Sequence, residues 1–357
     1  MRSYNNIFES IASPEALFRA WDEFKRGKRA KKDVLAFEKN LEPNVFELHR
    51  DLTSKRYRHG PYTDFYITDP KLRHIHKAVV RDRILHHAIF AALNPLFEPT
   101  FIANSFSCRV DKGTHGGVEA LAKMLRKVGK NSTLSCYVLK CDIRKFFDSI
   151  DQEILLGILR KRITDQGARW LLDNVISSYA AGLPRERERE REEKIRQQGL
   201  PIGNLTSQLF ANVYMNEFDQ FVKHELRVKH YARYTDDFVI VGTDPDALMA
   251  LLPSIRGFLR ERLRLDLHPD KVEIRRYSKG VDFLGYVAFP HFRLLRKKTE
   301  KRMWRKLEHV IAQYKGGAAD EERARAALNS YLGILSHADA YRLGERLKNN
   351  FWIRMNG

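Results

Sequence analysis

Residues 230–242, HYARYTDDFVIVG, give the clearest indication of the fold class. Apolar and aromatic runs flank its polar centre, which predicts two short strands joined tightly through Thr235, Asp236 and Asp237. Two adjacent carboxylates repel each other, and a pair of divalent cations relieves that repulsion while binding phosphate oxygens. An isolated Asp-Asp pair is usually only a turn, but the apolar flanks favour a metal site. The predicted strands cover residues 231–234 and 238–241.

A second acidic motif, YVLKCDIRKFFDSID, occupies residues 137–151. Its alternation predicts a strand that places Val138, Lys140 and Asp142 on one face. A carboxylate on a strand suited to a core is costly to bury without a partner, and a divalent cation is a natural partner. A helix is predicted to follow, with Ser149 and Gln152 in capping-box spacing. Asp148 and Asp151 are interpreted as turn or cap residues.

Between the two acidic motifs lies GLPIGNLTSQLFANVYMNEFDQFVKHEL, residues 199–226. This segment predicts a Gly/Pro loop followed by a helix. Gly203 permits the backbone to approach a base pair or a strand closely. A loop of this kind is a weak signal by itself, and its position between two acidic strand motifs gives it weight.

The region before residue 100 is rich in basic residues. Short alternating runs at 61–80 predict a hairpin, and RDRILHHAIFAALNPLF at 81–97 predicts a helix. Arg73 and Arg83 are candidates for binding a triphosphate, because a guanidinium binds phosphate oxygens as a fork. Without a surrounding motif they are ordinary surface arginines. His86 and His87 are interpreted as packed or capping groups.

Charge and composition indicate a nucleic-acid partner. The chain has 357 residues, 43% of them hydrophobic, which suffices for a sizeable core. Its formal net charge of +19 suits a polyanion, although a merely soluble basic protein or one on acidic lipid remains an alternative from charge alone. The three cysteines lack zinc-site or redox spacing, and neither a signal peptide nor a long apolar run is evident. We therefore expect a cytoplasmic protein without membrane association.

From about Tyr57 onward, these motifs resemble the reverse-transcriptase family in content and order. Tyr234-Thr235-Asp236-Asp237 matches the Y-x-D-D box of the family, and Asp142 matches the acid of the preceding palm motif. The resemblance implies that these aspartates, with the backbone of Ile143, bind two Mg²⁺ ions, for which Mn²⁺ can substitute. One ion would activate the primer 3′-hydroxyl and the other would stabilise pyrophosphate.

The same resemblance assigns roles to further residues. Phe147 matches the bulky position that excludes ribonucleotides, and Lys271 matches a region from which a lysine protonates pyrophosphate, although a surface lysine paired with Asp270 is the alternative. The remaining nucleotide-binding candidates are Arg73, Arg83, Ile202 and Gln208. The template and primer candidates are Gly203, Asn204, Phe283, Leu284 and Gly285.

The fold implied by this resemblance is an α+β right-hand polymerase. An N-terminal extension, fingers and a palm of antiparallel sheet plus helices would occupy residues 1–285. A short helical thumb would occupy 286–357, where a basic cluster precedes two amphipathic helices suited to gripping a duplex backbone. We expect no endonuclease or long maturase extension in this remainder.

Within the family, Ile202 stands where many members carry Gln, and Gln208 where they usually carry Pro. The chain thereby resembles the reverse transcriptases of diversity-generating retroelements and their group II intron relatives. This implies cDNA synthesis from a structured RNA template with errors at template adenines, an RNA–cDNA duplex, dNTPs and a small basic helical accessory oligomer. The alternatives are a bacterial defence enzyme acting against phage and an RNA-binding scaffold of splicing type, against which the intact aspartates argue.

One departure from the family pattern is the Arg/Glu alternation from Pro184 to Lys194. Local ion pairs would suit a solvated helix or a flexible insertion, and a partner or RNA contact is the alternative.

Overall fold

A computed structural model describes residues 3–68, 72–179 and 198–356 of the chain. The Arg/Glu run at 184–194 therefore lies outside the described residues. Within them, no helix combines the length and apolar composition required to cross a bilayer. Helices and strands are mixed throughout the described ranges, as an α+β fold requires.

The described helices are, in chain order, α1 (Ile7–Ala12), α2 (Pro14–Lys25), α3 (Lys32–Glu38), α4 (Leu41–Thr53), α5 (Val80–Phe97), α6 (Gly113–Val128), α7 (Phe146–Ser149), α8 (Gln152–Arg160), α9 (Gln166–Ser177), α10 (Leu205–Gln220), α11 (Pro245–Ala250), α12 (Leu252–Leu263), α13 (Lys297–Lys315), α14 (Glu321–Leu335) and α15 (Tyr341–Asn356). A π-helical turn, Phe221–Glu225, follows α10, and short 3₁₀ turns occur at Glu98–Thr100, Pro269–Lys271 and Tyr277–Lys279.

The described strands form three sheets. They are β1 (Thr63–Ile67), β2 (Arg73–Lys77), β3 (Tyr137–Asp142), β4 (Tyr231–Tyr234), β5 (Asp237–Gly242), β6 (Glu273–Arg276), β7 (Val281–Phe283), β8 (Tyr286–Ala288) and β9 (Arg293–Leu295). The first sheet is the β1–β2 hairpin, the second has the order β4-β5-β3-β6, and the third has the order β7-β8-β9. Both hairpins predicted from the sequence are confirmed.

The chain divides into two compact units that interleave along the sequence. The first comprises Met1–Ala103, Asp142–Val228 and Pro253–Asp270, and the second comprises Asn104–Cys141, Lys229–Leu252 and Lys271–Gly357. These units are defined by contacts between residues and do not correspond to fingers, palm and thumb. The predicted boundary between residues 285 and 286 therefore stays a prediction.

Helices dominate the first unit. The central helix α5 buries apolar residues on several sides because α1, α2 and α10 all contact it. Helix α2 begins at Pro14 because Ser13 caps it, its hydroxyl accepting from the backbone N of Ala16 at 3.3 Å. Trp21 and Phe24 on α2 are buried.

The start of α8 corrects the capping prediction for this region. Asp151, not Ser149, is the N-cap, and its carboxylate accepts from the backbone N of Ile154 at 3.0 Å. Ser149 instead ends the short helix α7 and donates to the carbonyl of Arg144. The capping box of Ser149 and Gln152 was wrong because α7 ends before α8 begins, whereas the interpretation of Asp151 as a cap is confirmed.

In the second unit, α6 packs on the sheet and a helical layer follows. Apolar residues of α6, β3, β4, β5, β7 and β8 form one core. A second core joins α13, α14 and α15, and Met303, Leu307 and Leu328 are buried in it, as expected of the two predicted amphipathic helices. The sequence predicted two helices here, and the described residues contain three. The third, α15, buries Leu347 and Phe351, which the sequence analysis did not identify as a stripe.

Candidate active site

The β4–β5 hairpin carries the adjacent carboxylates at its two-residue turn, Asp236 on the turn and Asp237 as the first residue of β5. Tyr234 pairs with Asp237, so Thr235 and Asp236 form the turn and β5 begins one residue earlier than predicted. Asp236 and Asp237 are half-buried, while the strand residues after them are buried. Thr235 has a φ of 56°. For a β-branched residue this left-handed conformation is strained by about 1–3 kcal/mol, so surrounding contacts must hold it.

Asp142 is the last residue of β3, which is the sheet neighbour of β5. Its side chain is only 5% exposed. The backbone around it is tied to the segment after α12, since His268 N donates to the Asp142 carbonyl at 2.8 Å and Ile143 bridges to Leu267. These bonds fix the backbone that carries the carboxylate and the Ile143 carbonyl.

The carboxylates suit a hard divalent cation. Among the described residues, no three His, Cys, Asp or Glu side chains are grouped so as to hold a metal ion on their own. Mg²⁺, however, typically binds one or two carboxylates and completes its octahedron with water and substrate phosphates. The Asp236-Asp237 pair provides such oxygen ligands, so its chemistry fits a metal shared with a nucleotide.

A separate cleft of about 390 Å³ in the first unit brings together four of the predicted site residues, Arg83, Gly203, Asn204 and Gln208. Lys28 and Lys77 also line it, which makes the cleft basic, and His87 lines it as well. Phe24, Phe65 and Ile75 supply apolar surface. A basic cleft with aromatic walls suits a nucleotide or a nucleic-acid backbone.

An acidic residue holds the cations of this cleft. Asp33 accepts from Arg83 at 2.5 Å and forms an ion pair with Lys77 at 2.7 Å. Burial would raise the pKa of Asp33, but the hydrogen bonds and charges of Lys77 and Arg83 outweigh burial and lower the pKa. Partial burial, with the charge of Arg83, also lowers the pKa of Lys28. Arg83 is therefore already paired, which the sequence did not indicate.

The loop before α10 is fastened to β2. His76 N donates to the Ile202 carbonyl at 2.9 Å, and the buried amide of Asn204 donates to the His76 carbonyl at 2.8 Å. At Gly203, φ is 115° and an added Cβ would lie 2.8 Å from the side chain of Ile75. Glycine is required here by both conformation and space. In the structure the residue close to Gly203 is Ile75 of β2, and the predicted contact of Gly203 with template or primer stays a prediction.

Three other predicted residues do not line this cleft. Arg73 is the exposed first residue of β2, and Phe147 lies half-buried in α7 against Phe146, with 5.4 Å between ring centroids. Ile202 contributes its backbone carbonyl to β2. Their predicted contacts with a nucleotide stay predictions.

The predicted primer-contact residues form a second tight turn. Phe283 pairs with Tyr286, and the two turn residues, Leu284 and Gly285, have φ values of 50° and 93°. Phe283 is buried, whereas Leu284 and Gly285 are partly exposed, and Leu284 packs against the core. Lys271 ends the 3₁₀ turn Pro269–Lys271 ahead of β6.

The sequence analysis missed residues that contact the Thr235 turn. Arg233 is fully buried on β4, and Ser105 and Ser107 lie beside it. The signal available was a charged residue within the otherwise apolar run YARY. Charged residues are almost never fully buried without partners.

Comparisons with known proteins identify the family of the chain. A family model described as reverse transcriptase (RNA-dependent DNA polymerase) matches residues 68–288, more than half of the chain. The chain is 27% identical to the protein YkfC of Escherichia coli (strain K12) over 289 residues, 71% of each protein. It is 22% identical to the group II intron-encoded protein LtrA of Lactococcus lactis subsp. cremoris over 326 residues, 73% of this chain and 51% of LtrA.

A more distant similarity is to the putative COX1/OXI3 intron 2 protein of Saccharomyces cerevisiae, at 21% identity over 299 residues, 67% of this chain and 33% of that protein. The alignments thus cover about half the length of LtrA and about a third of the yeast protein. The family match includes the β4–β5 hairpin with its adjacent aspartates. The chain therefore belongs to the reverse transcriptase family and is of the RNA-directed DNA polymerase class.

Proposed function

We propose that this protein copies a structured RNA template into cDNA as part of a diversity-generating retroelement, with errors at template adenines. The observation that carries the polymerase activity is the tight β4–β5 turn with its adjacent carboxylates, inside a segment that matches the reverse-transcriptase family. Phosphoryl transfer needs little covalent chemistry from a protein and depends on positioning and on cations that neutralise the developing charge, which carboxylates of this kind would hold.

In this proposal Asp142, Asp236 and Asp237, with the Ile143 carbonyl, hold two divalent cations. Mg²⁺ bound there stabilises negative charge on the reacting phosphate and lowers the pKa of the primer hydroxyl. Phe147 crowds the 2′-position of the sugar and so excludes ribonucleotides. Lys271 donates a proton to the pyrophosphate that leaves.

Arg73 and Arg83 contribute positive charge toward the triphosphate. Because Arg83 is bound to Asp33, a phosphate must compete with that carboxylate or share the guanidinium with it. A guanidinium has five N–H donors, so one edge can remain on Asp33 while another faces a phosphate.

We assign residues 1–285 to an N-terminal extension, fingers and palm, and 286–357 to a thumb, in a right-hand polymerase of cytoplasmic location. Helix α13 carries many basic residues, and its buried stripe leaves their side of the helix to solvent. Such a face grips a duplex backbone by phosphate contacts without reading sequence.

The retroelement assignment rests on Ile202 and Gln208, which depart from the more general family pattern in the loop before α10. It includes a small basic helical accessory oligomer as a partner. The defence-associated reverse transcriptase is the second candidate, and the two differ in their products.

The test is Mg²⁺-dependent dNTP incorporation on a primed, adenine-containing RNA template, with sequencing of the products. The wild type is compared with Asp236→Ala and with Asp246→Ala, which removes an exposed aspartate on α11. Incorporation lost only in Asp236→Ala, with errors opposite adenine, supports the proposal. Accurate or untemplated synthesis favours the defence enzyme, and equal incorporation by Asp236→Ala contradicts the assigned site.

A further inference from the structure

The turn that carries Asp236 lies beside a chain segment distant in sequence. Residues 104–107 run alongside β4, with Ser105 in a parallel bridge to Arg233. Two backbone bonds fasten this segment, since Arg233 N donates to the Asn104 carbonyl and Phe106 N donates to the Arg233 carbonyl, each at 3.0 Å. The Asn104 amide adds a bond to the Tyr231 carbonyl at 3.1 Å. The segment therefore has a fixed register against β4.

Arg233 links this segment to the turn. Its guanidinium donates to the Thr235 carbonyl at 3.0 Å and to the Ser105 hydroxyl at 3.1 Å. The residue is 0% exposed. Removing a guanidinium from water costs free energy. Its N–H groups offset that cost only where hydrogen-bond acceptors are correctly placed around them. A hydrophobic residue would fill the same volume without that cost, so burial alone does not explain an arginine here.

A second contact holds the side chain of the strained residue. The Thr235 hydroxyl donates to the Ser107 hydroxyl at 2.6 Å. Thr235 is thus held at its carbonyl by Arg233, which itself bonds Ser105, and at its side chain by Ser107. A left-handed φ at a β-branched residue persists only where the surroundings over-determine it.

We propose that Arg233, Ser105 and Ser107 are positioning residues that hold Thr235 in its left-handed conformation and thereby set the direction of the Asp236 and Asp237 carboxylates. The inference rests on the proposed function in that these carboxylates bind the metals. Ligand geometry must be held closely for metal binding, and residues behind the ligands typically change affinity or activity by 10–100-fold when mutated. Arg233 acts through its hydrogen bond to the Thr235 carbonyl and does not contact the reacting atoms.

The decisive variant is Ser105→Ala, because it deletes one hydroxyl and leaves the buried guanidinium in place. Arg233→Lys is the second variant, since lysine keeps the charge but lacks the fork. Ser336→Ala, an exposed serine at the end of α14, is the matched control. Circular dichroism and thermal unfolding establish that each variant is folded.

The first measurement is amide hydrogen exchange of a peptide spanning residues 231–238, which requires neither metal nor activity. We expect faster exchange in Ser105→Ala and Arg233→Lys and no change in Ser336→Ala. The second is Mn²⁺ binding followed by electron paramagnetic resonance. Here we expect affinity to fall about 10-fold in Ser105→Ala, with affinity for a primed RNA template unchanged.

The third measurement relieves the strain directly. Thr235→Gly removes the side chain that makes the left-handed conformation costly, so the turn depends less on its supports. We expect the effect of Ser105→Ala on Mn²⁺ affinity to shrink at least several-fold in a Thr235→Gly background, which a double-mutant cycle measures. A full Ser105→Ala effect in both backgrounds would overturn the proposal.

The outcomes separate this proposal from the proposed function. Unchanged turn exchange and unchanged Mn²⁺ affinity in a folded Ser105→Ala variant would refute the positioning role even if the enzyme synthesises cDNA. Altered exchange and metal affinity in a protein that synthesises no cDNA would support the positioning role and contradict the proposed function.

Discussion

At the scale of single residues, the chain uses special backbone conformations where a ligand is expected. Thr235, Gly203 and Gly285 all have left-handed φ values, and each lies next to a predicted site residue. Only at Thr235 does a β-branched side chain occupy that conformation, so contacts beyond the turn are needed. At the glycines the residue type alone suffices.

A residue-scale prediction concerns sugar selection by Phe147. We expect Phe147→Val to raise the ratio of kcat/KM for a ribonucleotide to that for the matching deoxynucleotide by at least 10-fold, because a smaller side chain leaves room for a 2′-hydroxyl. Single-nucleotide incorporation with rCTP and dCTP measures the ratio.

The control for this prediction is Phe146→Leu. Phe146 is the buried neighbour of Phe147, so this change should lower stability and leave the ratio unaltered. A ratio that rises equally in both variants would indicate general loosening of α7 and would contradict a specific role for Phe147.

At the scale of elements, caps and buried polar groups determine where helices begin and how they respond to acid. The N-cap Asp151 also forms an ion pair with Arg264, and its backbone N donates to Tyr214 at 3.3 Å. Helix α5 buries His86, whose Nε2 lies 3.2 Å from Nε2 of His59. Both arrangements join parts of the first unit that are far apart in sequence.

We expect Asp151→Ala to lower the free energy of unfolding by about 1–3 kcal/mol, since a lost cap costs about 1 kcal/mol and a severed ion pair adds to it. Ser149→Ala should change the free energy by less than about 0.5 kcal/mol, because Ser149 does not cap α8. Urea unfolding at pH 7 measures both. If both substitutions lowered the free energy of unfolding equally, the assignment of Asp151 as the N-cap of α8 would be contradicted.

A pH prediction follows from α5. Burial, with the charges of Lys28 and Arg83, lowers the pKa of His87 from 6.5 to about 4, and burial with neighbouring positive charge lowers the pKa of His86 well below 6.5. The folded protein keeps both rings neutral while the unfolded chain binds protons. Their contribution to stability is therefore complete above pH 6.5 and is lost as the pH falls towards 4.

The expected slope is at most about 1.4 kcal/mol per pH unit for a fully buried imidazole, and smaller for His87 because it is partly exposed. His87→Gln should flatten the loss of stability between pH 6.5 and pH 4, whereas His224→Gln, at an exposed site, should not. Urea unfolding across this range tests the difference. If the free energy of unfolding of His87→Gln fell with pH as steeply as that of the wild type, the His87 ring would not be the cause of the acid sensitivity.

At the scale of the whole molecule, the positive net charge is the main source of affinity for nucleic acid. The formal net charge of the chain is +19, and both compact units carry basic side chains. In the first unit they line the cleft next to Asp33, and in the second they lie on the exposed face of α13. Neutralising RNA phosphates releases counterions, which makes affinity fall steeply with salt. The charge therefore supports nucleic-acid affinity without defining which sequence is copied.

We expect RNA affinity to fall by about 10³-fold or more between about 50 and 200 mM salt, as for a protein with six or more phosphate contacts. Lys301→Gln on α13 should reduce the slope of log affinity against log salt by about 1 if it contacts a phosphate. Lys39→Gln, at an exposed lysine of the first unit, is the control. Fluorescence anisotropy with labelled RNA measures the salt dependence of affinity for both variants. Identical slopes in the two variants would show that Lys301 does not contact RNA.

Elements whose pairing is local could be predicted from the sequence. The β4–β5 hairpin, the β1–β2 hairpin and the apolar stripes of α13 and α14 follow from periodicity and turn chemistry, which involve neighbours a few residues apart. The adjacent aspartates and their place at a turn were predictable for the same reason. The family's enzymatic class followed from the order of these motifs.

Which polar groups contact one another became known only from the three-dimensional structure. Ser105 and Arg233 are separated by 128 residues, and Asp33 and Arg83 by 50, so no local pattern relates them. Burial is also a property of the packed chain, and it determines that Arg233 is enclosed and that the pKa of His87 is low. Periodicity identifies which face of a strand is apolar, whereas the partner of a buried charge depends on contacts formed only when distant segments pack together.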